Sequence, residues 1–273
     1  LEYQLWELNP TGYHVTNVML HLFNAVLLLH VLRRLNVPCA FVCSLIFAIH
    51  PVHVESVAWI TERKNVLSGF FYLASMVAFL RFAGGSEIPQ SASRRDAAFY
   101  VLGFVLFLMA LLSKTVAVTL PVALLFGLYR RADRVRQRDV LTVLPLLLIG
   151  LPFGLMTVHL ERTHVGATGP WWDFSLLERM LIAGQAFWFY IMKIAVPYPL
   201  VFVYPKWAVQ TGSIVVWLYP ITAVGAVQLA LWYRRGVAMA VLFFAVTISP
   251  ALGFVNIYPM RYTFAADHYQ YLA

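Results

Sequence analysis

Charged residues are scarce in this chain of 273 residues. They make up 12% of it while hydrophobic residues make up 61%, against about 25% and 45–50% in an ordinary soluble domain. So little charge cannot cover the surface of a water-soluble particle of this size, which excludes a typical soluble enzyme and a disordered chain. Cysteine is also scarce: Cys39 and Cys43 are the two present, so a disulfide-stapled fold is excluded. The composition indicates a polytopic membrane protein.

Several familiar signals are missing as well. The sequence contains no Walker loop, dinucleotide fingerprint, nucleophile elbow or CxxC motif. The centres of its apolar runs are almost free of charge, which disfavours an ion-coupled transporter. The net charge of +8 would suggest a nucleic-acid partner in a soluble protein. Here the arginines form short clusters between apolar runs, as topology signals do, so we expect no nucleic-acid partner.

Long hydrophobic runs are what the sequence does have, and a membrane-crossing helix needs about 20 mostly apolar residues. We predict an all-α, polytopic membrane helical bundle in one transmembrane domain, with about eight spans at 14–32, 38–50, 66–82, 97–113, 115–129, 140–158, 213–233 and 237–254. The run 176–196 carries Glu178, Arg179 and Lys193. Because charge facing lipid is costly, we favour an interfacial or re-entrant segment there over a ninth span.

Arginine clusters predict the orientation, since cytoplasmic loops are enriched in Lys and Arg. They place the loops at 33–37, 83–96, 130–139 and 234–236 in the cytoplasm. The second of these includes the polar stretch 84–93, which we interpret as a flexible loop. The remaining polar clusters then lie on the outer face.

The first outer cluster is His50-Pro51-Val52-His53-Val54-Glu55, followed by Glu62 and Arg63. Pro51 ends the preceding apolar run. If 52–65 is helical, Glu55, Trp59 and Glu62 recur along one face with Arg63 beside them. Three interpretations stay open: interfacial anchoring, a phosphate or substrate site, and a metal site. The spacing matches no established zinc pattern, so we predict no metal.

Three further clusters complete the outer face. Lys114 is the one charge between Asp96 and Arg130; it either reaches lipid headgroups or binds an anionic phosphate in a medium of low dielectric constant. The third cluster holds Arg162 and ends in two tryptophans, which are typical interface anchors. The fourth comprises Arg261-Tyr262 and Asp267-His268-Tyr269-Gln270-Tyr271. Its arginine, aspartate and histidine are less easily explained as anchors than its tyrosines.

At these clusters the chain resembles a known family. The stretches that carry the resemblance are Gly12–His21, His50–Glu55, Leu112–Lys114, Glu161–Gly166, Ala183–Lys193, Phe202–Pro205 and Arg261–Leu272. In this order they resemble the membrane region of the TMTC-type proteins, which combine transmembrane spans with tetratricopeptide repeats, and the loop at Glu161–Gly166 is similar to that of bacterial members.

The resemblance implies a GT-C glycosyltransferase fold and transfer of a mannose-like sugar from a polyprenyl-phosphate donor to a protein or glycan acceptor on the outer face. It implies a principal catalytic base in a first outer loop, which we expect upstream of residue 1, and tetratricopeptide repeats downstream. The fragment alone is then expected to be inactive. Thr115 stands where the family has glutamate, and His268 where it has arginine, which puts a role borrowed from that arginine in doubt.

Glycosyl transfer from a lipid phosphate leaves an anion that needs cations at the membrane rim. The candidates for binding it are Arg63, Lys114 and Arg261, with Glu55 or Asp267 as auxiliary catalytic carboxylates stabilising an oxocarbenium-like transition state. Further candidate substrate-binding residues are His50, His53, Arg162, His268 and Tyr269. No cofactor is expected besides the lipid-linked donor.

Two other classes of function remain open: a transporter or flippase of lipid-linked sugars, and a membrane anchor that presents a repeat domain. For the transferase, we expect the bacterial inner membrane with a periplasmic active face; in eukaryotic relatives the corresponding membrane is that of the endoplasmic reticulum.

Overall fold

The computed structural model describes residues 2–83, 94–132 and 134–273, with the backbone alone for Arg235. The described residues form eleven α-helices joined by loops and short 3-10 turns, which confirms the predicted all-α fold class. The helices are α1 (Glu2–Trp6), α2 (Pro10–Arg34), α3 (Ala40–Ile49), α4 (Val54–Ala58), α5 (Arg63–Phe82), α6 (Arg94–Ser113), α7 (Leu120–Ala132), α8 (Gln137–Thr163), α9 (Leu176–Ala195), α10 (Ile214–Tyr233) and α11 (Arg235–Ile248).

Six helical segments in the described residues are long and apolar enough to cross a membrane, namely Pro10–Arg34, Ile60–Phe82, Arg94–Ser113, Thr115–Ala132, Gln137–Thr163 and Ile214–Tyr233. A seventh span results if the bent pair Ala40–Ile49 and Pro51–Ala58 counts as one. The predicted run 237–254 corresponds to the 14 residues of α11 and a short turn. The run 176–196 forms α9, which is not among the six. The loop predicted at 84–93 lies outside the described residues.

Capping residues explain where α2 and α9 begin. The Asn9 side chain accepts a hydrogen bond of 3.0 Å from the Thr11 N–H, and Pro10 occupies the first turn of α2, where its missing N–H costs nothing. At α9, Ser175 and Glu178 form a reciprocal capping box. These contacts satisfy amide groups that a helix start leaves without partners.

The segment after Pro51 is broken rather than continuous. A 3-10 turn at Pro51–His53, the short α4 and a second 3-10 turn at Ile60–Glu62 precede α5, and the axis bends by 49° between α3 and the residues after Pro51. The continuous helix considered over 52–65 is therefore wrong. Asparagine side chains of α2 donate hydrogen bonds to backbone carbonyls of this segment and of the start of α5.

The chain divides into two compact units, Leu1–Gly150 and Leu151–Ala273, with α8 contributing to both. In the first unit, α5 packs between α2 and α6, and its Tyr72 and Phe79 are fully buried. In the second unit, α9 packs against α10, and residues of its buried face also contact α11. Gly184 allows a close approach there, since a Cβ at this position would lie 2.4 Å from the Pro220 nitrogen.

Candidate functional site

In the first unit, a polar network surrounds Lys114, which follows the last residue of α6. The Lys114 Nζ donates a hydrogen bond to Asn65 Oδ1. The Asn65 Nδ2 in turn donates to Glu62 Oε2 at 2.6 Å and to Ser56 Oγ at 3.2 Å. These four residues, the Lys114 network, connect the turn after α6 to the broken segment and to the start of α5.

Burial governs the electrostatics of this network. Glu62 is 2% exposed and Asn65 is 3% exposed, and a carboxylate so deeply buried needs compensating contacts. Glu62 also forms an ion pair of 2.9 Å with Lys64. Burial lowers the pKa of the Lys114 ammonium to about 8, although the negative charges of Glu62 and Glu55 oppose this change. Lys114 is thus charged at neutral pH and loses its proton in mildly alkaline solution.

Arg63, the neighbour of Glu62, is directed elsewhere. Its Nε donates to Asn17 Oδ1 at 2.8 Å and its terminal nitrogen to the Tyr13 carbonyl at 3.0 Å. It also forms an ion pair with Glu2 and lies 5.4 Å from the centre of the Tyr13 ring. Arg63 therefore fastens α1 and α2 to the start of α5.

The histidines of the first cluster lie around an aromatic contact with α2 and α3. His53 is buried, with its ring centroid 4.5 Å from that of Phe47, 5.5 Å from that of His21 and 6.1 Å from that of His50. Glu55 is partly buried in the first turn of α4, near enough to Lys114 for its charge to act there.

A polar stripe on α2 was not predicted from the sequence. Asn17, His21 and Asn24 share one face, and all three are buried. Asn17 Nδ2 donates to the Val57 carbonyl at 3.1 Å, Asn24 Nδ2 donates to the Val66 carbonyl at 2.8 Å, and the His21 Nε2 lies 3.2 Å from the Ala48 carbonyl oxygen. Their spacing of four and three residues within an apolar run is the signal that could have identified them.

In the second unit, Asp267 is the most enclosed of the predicted site residues, at 4% exposure. Its Oδ2 accepts a hydrogen bond of 2.7 Å from the Tyr204 hydroxyl. The Tyr204 ring centre lies 4.9 Å from the Lys193 Nζ, and Lys193, also buried, donates to the Pro199 carbonyl. This places a buried carboxylate, a phenol and a buried cation near the end of α9.

The other predicted residues of this unit are more accessible. Arg261 and Arg162 are exposed, and the Arg261 guanidinium lies 5.7 Å from the centre of the Tyr262 ring. His268 and Tyr269 are partly buried, with ring centroids 4.4 Å apart. The ten predicted residues thus fall into two groups: His50, His53, Glu55, Arg63 and Lys114 in the first unit, and Arg162, Arg261, Asp267, His268 and Tyr269 in the second.

Arg179 of α9 has a structural role that its sequence position did not predict. Its guanidinium donates to the Trp172 carbonyl at 3.0 Å, to the Gly253 carbonyl at 2.9 Å and to Asn256 Oδ1 at 2.7 Å. A fourth bond of 3.2 Å reaches the Phe174 carbonyl, and a fifth of 3.4 Å reaches the Phe254 carbonyl. Arg179 therefore joins the loop before α9 to the loop that leads to Arg261.

Lys206 is a partly buried cation that was not predicted from the sequence. Its Nζ lies 4.7 Å from the centre of the Phe264 ring, 5.4 Å from that of Phe174 and 5.6 Å from that of Trp171. Burial lowers the pKa of this lysine, and the three ring faces partly compensate for the lost hydration.

Fold and site together define a polytopic helical membrane protein with a partly buried lysine at the end of an apolar helix. An asparagine holds this lysine and is itself bonded to a buried carboxylate. No family model and no solved structure matches the chain. Among curated proteins it is similar to Protein O-mannosyl-transferase Tmtc3 of Drosophila melanogaster, with 34% identity over 110 residues that cover 32% of this chain and 12% of that protein.

Two further relatives extend the similarity. Protein O-mannosyl-transferase Tmtc2 of Drosophila melanogaster is 33% identical over 144 residues, or 50% of this chain and 15% of that protein. Protein O-mannosyl-transferase TMTC1 of Mus musculus is 32% identical over 130 residues, which cover 45% of this chain and 14% of that protein. The chain thus has partial homology to these proteins and spans less than a fifth of their length.

Proposed function

We propose that this chain is part of the membrane domain of a glycosyltransferase. It moves a mannose-like sugar from a polyprenyl-phosphate donor to a protein or glycan acceptor on the outer face of the membrane. The partial homology to protein O-mannosyl-transferases supports the reaction class. The observation that carries the proposal is the partly buried Lys114, held by Asn65 at the end of an apolar helix, where a lipid phosphate lies at the same depth.

In this reaction the bond between the sugar's anomeric carbon and the phosphate oxygen breaks, and the acceptor oxygen bonds to that carbon. The phosphate keeps the electron pair and gains negative charge, while the acceptor hydroxyl gives its proton to a base. Lys114 stabilises the departing phosphate, because a fixed cation in a site of low dielectric constant acts strongly on developing charge.

The Lys114 network fixes the position of this cation. Asn65 holds the ammonium through its carbonyl oxygen and the Glu62 carboxylate through its amide. Glu62 favours the charged form of Lys114, and Glu55, which does the same, is the auxiliary carboxylate on this side. Arg63 contributes indirectly, because its hydrogen bonds to Asn17 and Tyr13 fasten the start of α5.

The second unit, taken by itself, offers further candidate groups for binding a donor or an acceptor. Arg261 and Arg162 are exposed cations suited to a phosphate or a glycan hydroxyl, and Asp267 with Tyr204 forms a buried acid–phenol pair. His50, His53, His268 and Tyr269 are further candidates for substrate contact. The membrane is the bacterial inner membrane, with the reaction on its periplasmic side.

Binding of a polyprenyl phosphate to the purified chain in detergent tests the proposal directly, because binding does not require the catalytic base. Lys114→Met preserves the side-chain length and removes the charge. A charge-assisted hydrogen bond contributes about 1.5–3 kcal/mol, so this variant should bind the lipid roughly ten- to a hundredfold more weakly.

Lys206→Met is the matched control: it removes a partly buried lysine that contacts aromatic rings, and it should leave binding unchanged. The same comparison in a mannosyl-transfer assay measures the catalytic consequence. Wild-type binding by Lys114→Met, at equal thermal stability, would refute the assignment of Lys114 to the phosphate.

A further inference from the structure

Four arginines gather at the opposite end of these helices from Lys114, where α2, α5 and α7 all terminate. They are Arg34 in the last turn of α2, Arg81 in the last turn of α5, and Arg130 and Arg131 in the last turn of α7. We refer to these four residues as the arginine cluster. Each of the three helices belongs to a segment long and apolar enough to span a membrane, so the cluster lies at the level of lipid headgroups.

Hydrogen bonds bring the arginine cluster together. The Arg131 guanidinium donates at 3.0 Å to the carbonyl of Leu80, the residue before Arg81. The Arg130 guanidinium donates at 3.3 Å to the carbonyl of Asn36, two residues after Arg34. Arg34 is partly buried and lies close enough to Arg81 and Arg131 for their positive charges to act on it.

Aromatic contacts extend the positive surface to α6. The Arg81 guanidinium lies 5.5 Å from the centre of the Phe99 ring, and the Arg95 guanidinium lies 5.9 Å from the same ring. The ring face holds both guanidinium groups without neutralising either. Arg81 is exposed, so this part of the surface is open to a ligand.

The arginine cluster has no matching negative charge in the part of the chain that the structure describes. Within residues 2–83, 94–132 and 134–273, no carboxylate forms an ion pair with any of its four members. The nearby Asp139 accepts a hydrogen bond from the Arg136 N–H at 3.0 Å instead. The buried Arg130 Nε also has no acceptor among the described residues.

Clustered guanidinium groups without counter-ions repel one another, and an anion that binds between them relieves this repulsion. The carbonyl groups at the helix ends supply only partial negative charge, equivalent to about half an elementary charge for each helix. Arginine forms bidentate hydrogen bonds with phosphate oxygens, and phosphates are the anions available at the headgroup level of a bilayer.

We propose that the arginine cluster is a binding site for the phosphate groups of an acidic phospholipid. The site is independent of the glycosyl-transfer site proposed above, because it lies at the other end of the spanning helices. A lipid with two phosphates fits the cluster best, since Arg81 and Arg131 both lie close enough to Arg34 for their charges to act on it, and Arg130, next to Arg131 in the chain, offers a further donor.

The test measures the thermal unfolding of the purified full chain in a neutral detergent with phosphatidylcholine, with and without cardiolipin. Bound lipid is counted by native mass spectrometry. A ligand in large excess over its dissociation constant should raise the unfolding temperature of a protein of this size by about 5 °C. Arg81→Gln and Arg34→Lys should each reduce this increase. The Arg81 side chain makes no capping hydrogen bond among the described contacts, so its loss should not disturb the helix end. Arg34→Lys keeps the positive charge but loses the planar guanidinium group that binds phosphate through two hydrogen bonds.

Arg134→Gln is the matched control, because it removes an exposed arginine from the neighbouring loop and should keep the full cardiolipin effect. The increase is measured for each variant against its own value in phosphatidylcholine, so a variant of lower stability remains informative. The proposal is overturned if cardiolipin gives no increase over phosphatidylcholine, if inorganic phosphate reproduces the increase without cardiolipin, or if Arg81→Gln and Arg134→Gln respond equally.

Discussion

Binding of a lipid phosphate to the Lys114 network should weaken as the pH rises through about 8. Burial lowers the pKa of Lys114 to about 8 in the chain without ligand. A bound phosphate keeps the ammonium protonated, so only the protonated chain binds well. The apparent dissociation constant then increases with the deprotonated fraction of the free chain.

The magnitude follows from the pKa. With a pKa of about 8, roughly nine-tenths of the free chain carries a charged Lys114 at pH 7 and roughly one-tenth at pH 9. The apparent affinity for a polyprenyl phosphate should therefore fall by about tenfold over this range, or about 1.4 kcal/mol. The phosphate itself changes little there, because the second ionisation of a phosphate monoester is complete above about pH 7.

The measurement is a binding titration at pH 7, 8 and 9 for the wild type and two variants. Lys114→Arg keeps its charge throughout this range, so its affinity should not depend on pH, while Lys114→Met should bind weakly at each pH. If Lys114→Arg loses affinity tenfold between pH 7 and pH 9, or if the wild-type affinity is constant over this range, Lys114 does not bind the phosphate.

Two further predictions concern stability, both measured by thermal unfolding in detergent. Arg179→Met removes five hydrogen bonds, to four carbonyls and Asn256, and should cost about 3 kcal/mol, or about 6–12 °C. The exposed Arg162→Met is the control, and equal unfolding temperatures for the two variants would contradict this role. Gly184→Ala adds a Cβ 2.4 Å from the Pro220 nitrogen and should cost about 1–3 kcal/mol. Gly225→Ala in α10 meets open space and should stabilise the helix by up to about 1 kcal/mol, so a loss of stability there would show that helix propensity does not decide the outcome.

Hydropathy alone predicted most of the fold. The runs 14–32 and 140–158 lie within α2 and α8, whose outer turns are more polar than their centres. The run 38–50 was predicted as a span of its own that ends before Pro51. In the structure the chain continues after a bend to Ala58. The length of an apolar run cannot reveal such a bent pair of helices, because the second helix is too polar and too short to be recognised as part of a membrane span.

The side-chain contacts were less predictable, and Arg63 shows why. Its position beside Glu62 suggested a shared phosphate site, but adjacent residues on a helix point in different directions. Arg63 instead reaches Asn17, 46 positions earlier in the sequence. Such a contact depends on how α2 packs against α5, and local pattern carries no information about that. Arg179 is a second arginine of this kind, bonded to residues 74 and 77 positions away.

Lys114 was identified because a lone charge in an apolar stretch is conspicuous. Asn65, which holds it, was not identified, because an asparagine near a helix start is ordinary in sequence. The distance of 49 positions between them again places the decisive contact beyond local pattern.

The polar stripe on α2 has a consequence for how the protein enters the membrane. Asn17, His21 and Asn24 find their backbone partners at Val57, Ala48 and Val66, which lie after α2 in the chain. Until those residues arrive, two amides and an imidazole would face hydrocarbon without partners, at a cost of several kcal/mol. Stable insertion of α2 must therefore wait for α3 to α5, and these helices enter the bilayer as one cooperative unit rather than one at a time.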